Sequence, residues 1–484
     1  MKNLNKSTQK AVSWNLLKII FGNARTFIVS IILARLLEPE DFGLIGMAMV
    51  FAYFCDTIFD LGFGSAIIQR KSVTQEQKST VFYINMLLGV FFGLAMYFSA
   101  GLIAGFFDMP LLEDISKVMS VTFLIKGVTS LQRSLFAKEL NFKTPFVSEM
   151  IGGIISAIFG IVLALNGYGV WSLVYSQVLN WVLNSLVLWI MSSWRPSFEF
   201  NLNSVSDLWK FGYKQSLTVF IETFFNRLDT IIIGKIFDAA ALGLFYKAKS
   251  LVRITIQYAF GAFSGVLFPS FSLINEDIER QKRLFRTILS FTCFSTFLLS
   301  GLLVINAKEI IVILYTEKWI GSVIILKIFG FFTYAITISS VLTPAVLSRG
   351  ESGALLKVEV YKKVMALIPI PIAYFYGLNY FLIAGFILGN IGLIFNMNLM
   401  HKYFNIKISE QLAVIGKHFF PFLLLITVFY FLDQVLEFNN IVAVILKSSI
   451  YIIVFVGINM LLKSIGLQYI IGFIKSKLNK KING

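Results

Sequence analysis

Six stretches of this chain place charged or amide side chains at helical spacing inside otherwise apolar sequence. Lys249, Arg253 and Gln257 fall at i, i+4 and i+8, so two cations and an amide share one helix face. Glu222, Asn226 and Asp229 share another face, with Arg227 beside it. Asn15, Lys18, Gly22 and Arg25 follow i, i+3, i+7, i+10 spacing, Asp56 and Asp60 lie four apart, and Lys126 and Arg133 lie seven apart. Gln177, Asn180 and Asn184 complete the set. Guanidinium and ammonium groups in this pattern bind phosphate or carboxylate.

The balance of charge sharpens that chemistry. The cations at bilayer depth are Lys18, Arg25, Lys126, Arg133, Arg227, Lys249, Arg253 and Lys327, against the acids Asp56, Asp60, Glu149, Glu222 and Asp229. Cations outnumber acids, and charge in hydrocarbon is costly, so the surplus requires water, a lipid phosphate or an anionic ligand. A water-filled cavity with a basic floor meets the requirement and attracts a diphosphate or an acidic sugar. Lys126 and Lys327 are read as snorkelling to headgroups. Arg25, Arg227 and Arg253 lie deeper in their stretches and are assigned to a cavity. The Gly62 and Gly64 pair in "DLGFGSA" is read as close helix packing, since no strand precedes it to form a phosphate loop.

The elements that hold these residues follow from composition. Of 484 residues 57% are hydrophobic and 14% charged, with mean hydropathy +0.79. A soluble domain carries roughly 25% charged residues, so this chain belongs in a bilayer. Barrel-like alternation is absent, which leaves helices. Fourteen hydrophobic helices are predicted, over 12–37, 42–68, 81–106, 115–136, 146–165, 170–193, 211–237, 242–271, 287–305, 320–347, 358–376, 381–400, 418–432 and 441–462. Each is about long enough to cross a core of roughly 30 Å at 1.5 Å per residue. With the N-terminus in the cytoplasm, every second loop is basic, from Lys2, Lys6 and Lys10 to Lys475, Lys477, Lys480 and Lys481. The opposite loops carry mainly acids, among them Glu38, Glu40, Asp41, Asp108, Glu113, Asp238, Asp433 and Glu437. That alternation predicts cytoplasmic N- and C-termini and explains the net charge of +16 by topology. No nucleic-acid partner is invoked.

One corner occurs twice. "ARLLEPEDFGLIGMA" (Ala34 to Ala48) reappears 200 positions later as "GKIFDAAALGLFYKA" (Gly234 to Ala248). Six spans separate the copies, so both have one orientation, a parallel repeat about an axis along the membrane normal. The expected fold is therefore an all-α polytopic membrane protein of about 14 transmembrane helices. Residues 1–193 and 208–400 form two six-helix bundles, 194–207 is a cytoplasmic linker, and 401–484 holds helices 13 and 14 with a basic tail.

Several chemistries find no residues. Neither a Walker motif, nor HExxH, nor CxxC occurs, and His401 and His418 are the two histidines. Cys55 and Cys293 sit in apolar runs and suggest no disulfide or metal site. The basic N-terminus leads into a long span, so no removable signal peptide is expected.

"ILARLLEPEDFGLIGMAMVF", then "FDLGFGSAIIQRK", and later "GVLFPSFSLINEDIERQKRLFR" resemble Wzx-type polysaccharide-unit flippases. These belong to the multidrug/oligosaccharidyl-lipid/polysaccharide exporter superfamily, and the wording is nearest its colanic-acid and teichuronic-acid branch. The resemblance covers roughly residues 1–400. It implies a non-enzymatic transporter that moves undecaprenyl-diphosphate-linked oligosaccharide across the bacterial inner membrane for O-antigen, capsule or exopolysaccharide synthesis. Two lobes in a V would rock in alternating access around a cationic cavity. Arg25, Arg227, Lys249, Arg253 and Gln257 then become candidates for substrate contact. Asp60, Glu222 and Asp229 become candidates for ion coupling or gating. No cofactor is implied beyond proton or sodium coupling, and a polysaccharide polymerase and chain-length proteins are implied as partners. Fourteen spans in place of twelve is similar to the lipid II flippase branch. A cation-coupled multidrug exporter and a lipid II flippase remain the alternatives, and the cation surplus weighs against the first.

Overall fold

The computed structural model describes residues 2–59, 62–435, 439–469 and 471–472. Among the described residues there is no strand, and nine helices are long and apolar enough to cross a membrane. The chain divides into two compact units, Met1–Gly243 and Leu244–Gly484.

The first unit runs α1 (Lys2–Leu36), α2 (Pro39–Phe59), α3 (Phe63–Gln69), α4 (Gln75–Phe98), α5 (Ala100–Phe107), α6 (Leu111–Lys138), α7 (Lys143–Leu165), α8 (Val170–Met191) and α9 (Ser206–Ile236). It closes with the first turn of α10 (Ala239–Leu273). Two stretches expected as single helices are split. Residues 42–68 break into α2 and α3, and Gly62 sits ahead of α3 in the left-handed region at φ 75°. Residues 81–106 break at Ser99 into α4 and α5. α4 starts on a full capping box, in which Thr74 Oγ1 accepts from Gln77 N and Gln77 Oε1 accepts from Thr74 N.

Small residues let the helices close up. A Cβ on Gly89 of α4 would lie 2.7 Å from the Phe123 carbonyl oxygen, and one on Gly127 of α6 would lie 2.9 Å from that of Asn85. The repeated corners are packed still more tightly. A Cβ on Gly43 would lie 1.7 Å from the Ala239 carbonyl oxygen, and one on Gly243 would lie 1.8 Å from that of Pro39. The first turns of α2 and α10 thus rest backbone on backbone in a reciprocal contact. Asp41 Oδ2 accepts from Glu38 N at 2.9 Å in one corner, and Asp238 Oδ1 accepts from Ala241 N at 2.6 Å in the other. The segment after α8 lies along the start of α4, where Gln75 Nε2 donates to the Arg195 carbonyl and Asn201 N donates to Thr80 Oγ1.

The second unit continues through α11 (Ile278–Ile305), α12 (Ala307–Tyr315), α13 (Ser322–Leu347), α14 (Ser352–Met365), α15 (Pro369–Tyr376), α16 (Leu378–Phe404), α17 (Ile408–Leu432) and α18 (Asn440–Leu461). Residues 358–376, expected as one helix, are two, and Pro369 opens α15 where a missing N–H costs nothing. The stretch "KEIIVILYTEKWIG" forms α12 and a 3-10 turn over Glu317–Trp319. Helix 13, expected over 418–432, starts at Ile408. Its added turns are fixed by Gln411, whose Nε2 donates to the Met397 and Ile406 carbonyls. His418 is buried in mid-helix, its ring nitrogens 2.6 Å from Asn459 Oδ1 and 3.2 Å from Ser290 Oγ.

α17 and α18 are not peripheral to this unit. Phe422, Phe429, Tyr451 and Phe455 share one apolar core with Phe285, Phe294 and Phe297 of α11. Tyr451 Oη donates to the Phe297 carbonyl at 2.8 Å, over Gly301, where a Cβ would lie 1.9 Å from that oxygen. Lys447 on α18 bonds Glu309 of α12 and Asp433 at the end of α17, each at 2.5 Å.

Candidate functional site

The first unit holds a cavity of about 400 Å³ among α2, α3 and α9. α2 contributes Tyr53, Asp56 and Thr57, at i, i+3 and i+4, and so from one face. α9 contributes Ser216, Thr223, Asn226 and Arg227 by the same periodicity. Arg227 lies on the ring of Tyr53, with its Cζ 3.8 Å from the ring centroid. At that distance the guanidinium is in van der Waals contact with the π face. Such a contact contributes about 0.5–1 kcal/mol when exposed and about 2 kcal/mol when desolvated.

Asp56 supplies the opposite charge. Its Oδ1 and Oδ2 accept from Lys126 Nζ of α6 at 2.6 and 2.7 Å. The Lys126 ammonium also lies 4.7 Å from the Trp181 ring and 5.1 Å from the Phe123 ring. Its side chain is 11% exposed against 29% for Asp56, so the carboxylate faces the cavity and the ammonium stands behind it. Breaking a pair this enclosed would leave an uncompensated charge, which costs about 3–5 kcal/mol.

A second charged cluster joins α1, α6, α7 and α8. Glu149 Oε1 accepts from Lys18 Nζ at 2.9 Å, and Arg133 Nη1 approaches it at 3.9 Å. Arg133 Nη2 donates to Asn184 Oδ1 at 2.6 Å, and its Cζ lies 5.2 Å from the Trp181 ring. Arg25 Nη1 donates to the Glu149 carbonyl at 3.0 Å. The guanidinium rests on Gly153, where a Cβ would lie 0.8 Å from Nη1. Trp181 is common to the two clusters.

The candidates read from sequence fall in different units and clusters. Arg227 lines the cavity and Arg25 belongs to the α1–α7 cluster. Glu222 is exposed on α9, and Asp229 Oδ1 accepts from Thr230 N at 2.7 Å. Lys249 lies 5.1 Å from the Phe245 ring, and Arg253 and Gln257 are exposed on α10, all three in the second unit. Asp60 lies outside the described residues. The snorkelling reading of Lys126 is corrected, because its ammonium is bound to Asp56 near the middle of α6.

Sequence reasoning noted Asp56 and Glu149 as intramembrane acids without assigning them a site. The Asp56–Asp60 spacing was the available signal for the cavity face. Tyr53 carried none, since an aromatic residue in an apolar helix is ordinary. The second unit has its own cavity of about 240 Å³, largely apolar, lined by residues such as Leu251, Tyr258, Leu302 and Val444.

Known proteins resemble this chain in sequence and in fold. The family model described as "Polysaccharide biosynthesis protein" matches residues 32–324. The chain is 26% identical over 326 residues to the teichuronic acid biosynthesis protein TuaB of Bacillus subtilis (strain 168), covering 64% of this chain and 67% of that protein. It is 24% identical over 332 residues to the lipopolysaccharide biosynthesis protein WzxC of Escherichia coli (strain K12), covering 67% and 66%. It is 24% identical over 353 residues to the succinoglycan biosynthesis transport protein ExoT of Rhizobium meliloti (strain 1021), covering 72% and 71%. The alignments therefore span about two thirds of those relatives. In fold, the chain is similar to the lipid II flippase MurJ in an inward closed conformation, with TM-score 0.73, 16% identity and coverage of 93% of this chain and 98% of that one. A multidrug resistance MATE family transporter in an inward-facing conformation gives TM-score 0.62 at 14% identity, covering 82% and 98%. The chain belongs to the polysaccharide biosynthesis protein family.

Proposed function

We propose that this multi-pass membrane protein is a flippase for undecaprenyl-diphosphate-linked oligosaccharide repeat units. It works in the bacterial inner membrane, with both termini cytoplasmic, and serves surface polysaccharide synthesis. The observation that carries the reading is the cavity with Arg227 on the Tyr53 ring and hydroxyl and amide groups around it. An anionic linkage suits the arginine, and sugar hydroxyls suit the rest. A multidrug exporter for organic cations would have no use for a guanidinium in that lining, where Arg227 stands near an Asp56 already paired with Lys126.

Transport proceeds by alternating access of two lobes, 1–193 and 208–400, joined by 194–207, with 401–484 adding helices 13 and 14. Element order supports the repeat: α4, α5 and α6 are matched by α11, α12 and α13, each a long helix, a short one and a second long one. In the second unit, the apolar cavity suits a prenyl chain. Arg25, Lys249, Arg253 and Gln257 remain proposed substrate contacts, and Asp60, Glu222 and Asp229 proposed coupling or gating groups for protons or sodium. Polymerase and chain-length proteins are proposed partners.

The test is complementation of a strain lacking this gene, with lipid-linked glycan assayed in each membrane leaflet. The wild-type chain should restore surface glycan. Arg227→Ala should reach the membrane at normal levels yet leave the glycan on the cytoplasmic leaflet. Full export by Arg227→Ala would remove the cavity assignment. Restored peptidoglycan precursor flipping without glycan export would favour the lipid II reading.

A further inference from the structure

The order of charges in the cavity is unusual for an anion trap. A site built for a bare diphosphate would put its cations in front. Here Asp56 reaches the cavity and Lys126 stands behind it. Arg227 is the one cation lining the cavity, and Asp56 the one acid, among the described residues. A bare dianion entering would meet the Asp56 carboxylate at close range.

The free valences of Asp56 point to a different ligand. An ionised carboxylate offers about four lone-pair directions and donates nothing. Lys126 uses one direction on each oxygen, so the others open toward the cavity. What satisfies them is a set of O–H donors, which a sugar ring presents in abundance. Thr223 and Asn226 can give and accept hydrogen bonds around the same space, and Thr57, whose hydroxyl donates to the Phe54 carbonyl, can accept there. Arg227 occupies one face of the Tyr53 ring, so that face is closed to stacking by a sugar. Arg227 in turn keeps its N–H donors in the guanidinium plane, available to an acidic group. The volume of about 400 Å³ lies near the lower end of small-molecule sites. It suits one sugar ring with its linkage, not a whole oligosaccharide.

Resting on the flippase reading, we infer that Asp56 is a glycan-recognising residue, accepting hydroxyl donors from the sugar next to the anionic linkage while Arg227 holds that linkage. Lys126 is a positioning residue. It aims the Asp56 carboxylate by bonding both of its oxygens, and does not touch the ligand.

The test uses the full-length chain in lipid nanodiscs and two soluble probes: farnesyl diphosphate, and the same lipid carrying one N-acetylhexosamine. Wild type should bind the glycosylated probe more tightly. Asp56→Asn should weaken the glycosylated probe about tenfold or more, the loss expected for a hydrogen bond to a charged group. Farnesyl diphosphate should bind Asp56→Asn as well as wild type or better, because Lys126 becomes uncompensated. Asp56→Asn/Lys126→Met avoids that stranded charge and guards against misfolding. It should keep the glycosylated-probe defect and bind the bare probe within about twofold of wild type. Equal weakening of both probes, or no weakening of either, would overturn the assignment. So would a wild type without preference for the sugar. Binding of neither probe by wild type would instead bring down the flippase reading itself.

Discussion

Gly153 offers a clean test of how α1 is held. A methyl group there would lie 0.8 Å from Arg25 Nη1, whereas ordinary contact begins near 3.4 Å. In Gly153→Ala the guanidinium must therefore move by more than the hydrogen-bond tolerance, and the 3.0 Å bond to the Glu149 carbonyl is lost. A hydrogen bond from a charged donor contributes about 1.5–3 kcal/mol, which sets the expected destabilisation. The arginine tip is flexible and can relocate, so no backbone shift adds to that cost. The measurement is a double-mutant cycle on unfolding in detergent, using Gly153→Ala, Arg25→Met and the pair. Both single changes act through one bond, so the pair should be no worse than either alone, with a coupling close to the single-mutant value. Additive losses would show that Gly153 matters for helix approach in its own right and that Arg25 is not seated on it.

Other perturbations follow from the same packing. Gly43→Ala and Gly243→Ala each drive a methyl into a backbone carbonyl, at 1.7 and 1.8 Å, where no rotamer change helps. Each should cost about 3 kcal/mol or more and abolish the monodisperse peak on size-exclusion chromatography. Gly105→Ala, with nothing within 4 Å, should elute like wild type. Lys447→Met strands Glu309, which is 10% exposed, beside Asp433, and should destabilise by about 3–5 kcal/mol in thermal unfolding. Adding Glu309→Gln and Asp433→Asn should recover most of that loss.

Much of the helical framework was legible because long apolar runs leave few alternatives. The corner at Ala34 was legible twice, and Gly43 and Gly243, aligned in sequence, do meet the opposite backbone. Breaks inside runs were not legible. Ser99 and Gly62 interrupt helices without a loop-like composition around them. Charge was visible residue by residue, but pairing was not. Asp56 and Lys126 are 70 positions apart, and Arg25 finds a carbonyl 124 positions away that no side-chain pattern announces. The N-terminal part of α17 was missed because Gln411 and Lys417 read as loop, although Gln411 is buried and bonded to two carbonyls.

The contribution of α17 and α18 to the second unit has a consequence for how the protein is made. Phe422, Phe429, Tyr451 and Phe455 leave the ribosome well after Phe285 and Phe297, yet they complete the core those two begin. Until Tyr451 settles over Gly301, the α11 face it covers has no protein partner there, and lipid or an insertion chaperone must shield it. The second unit cannot mature segment by segment behind the ribosome. It closes only once α17 and α18 have been made, which makes their insertion a checkpoint in membrane assembly.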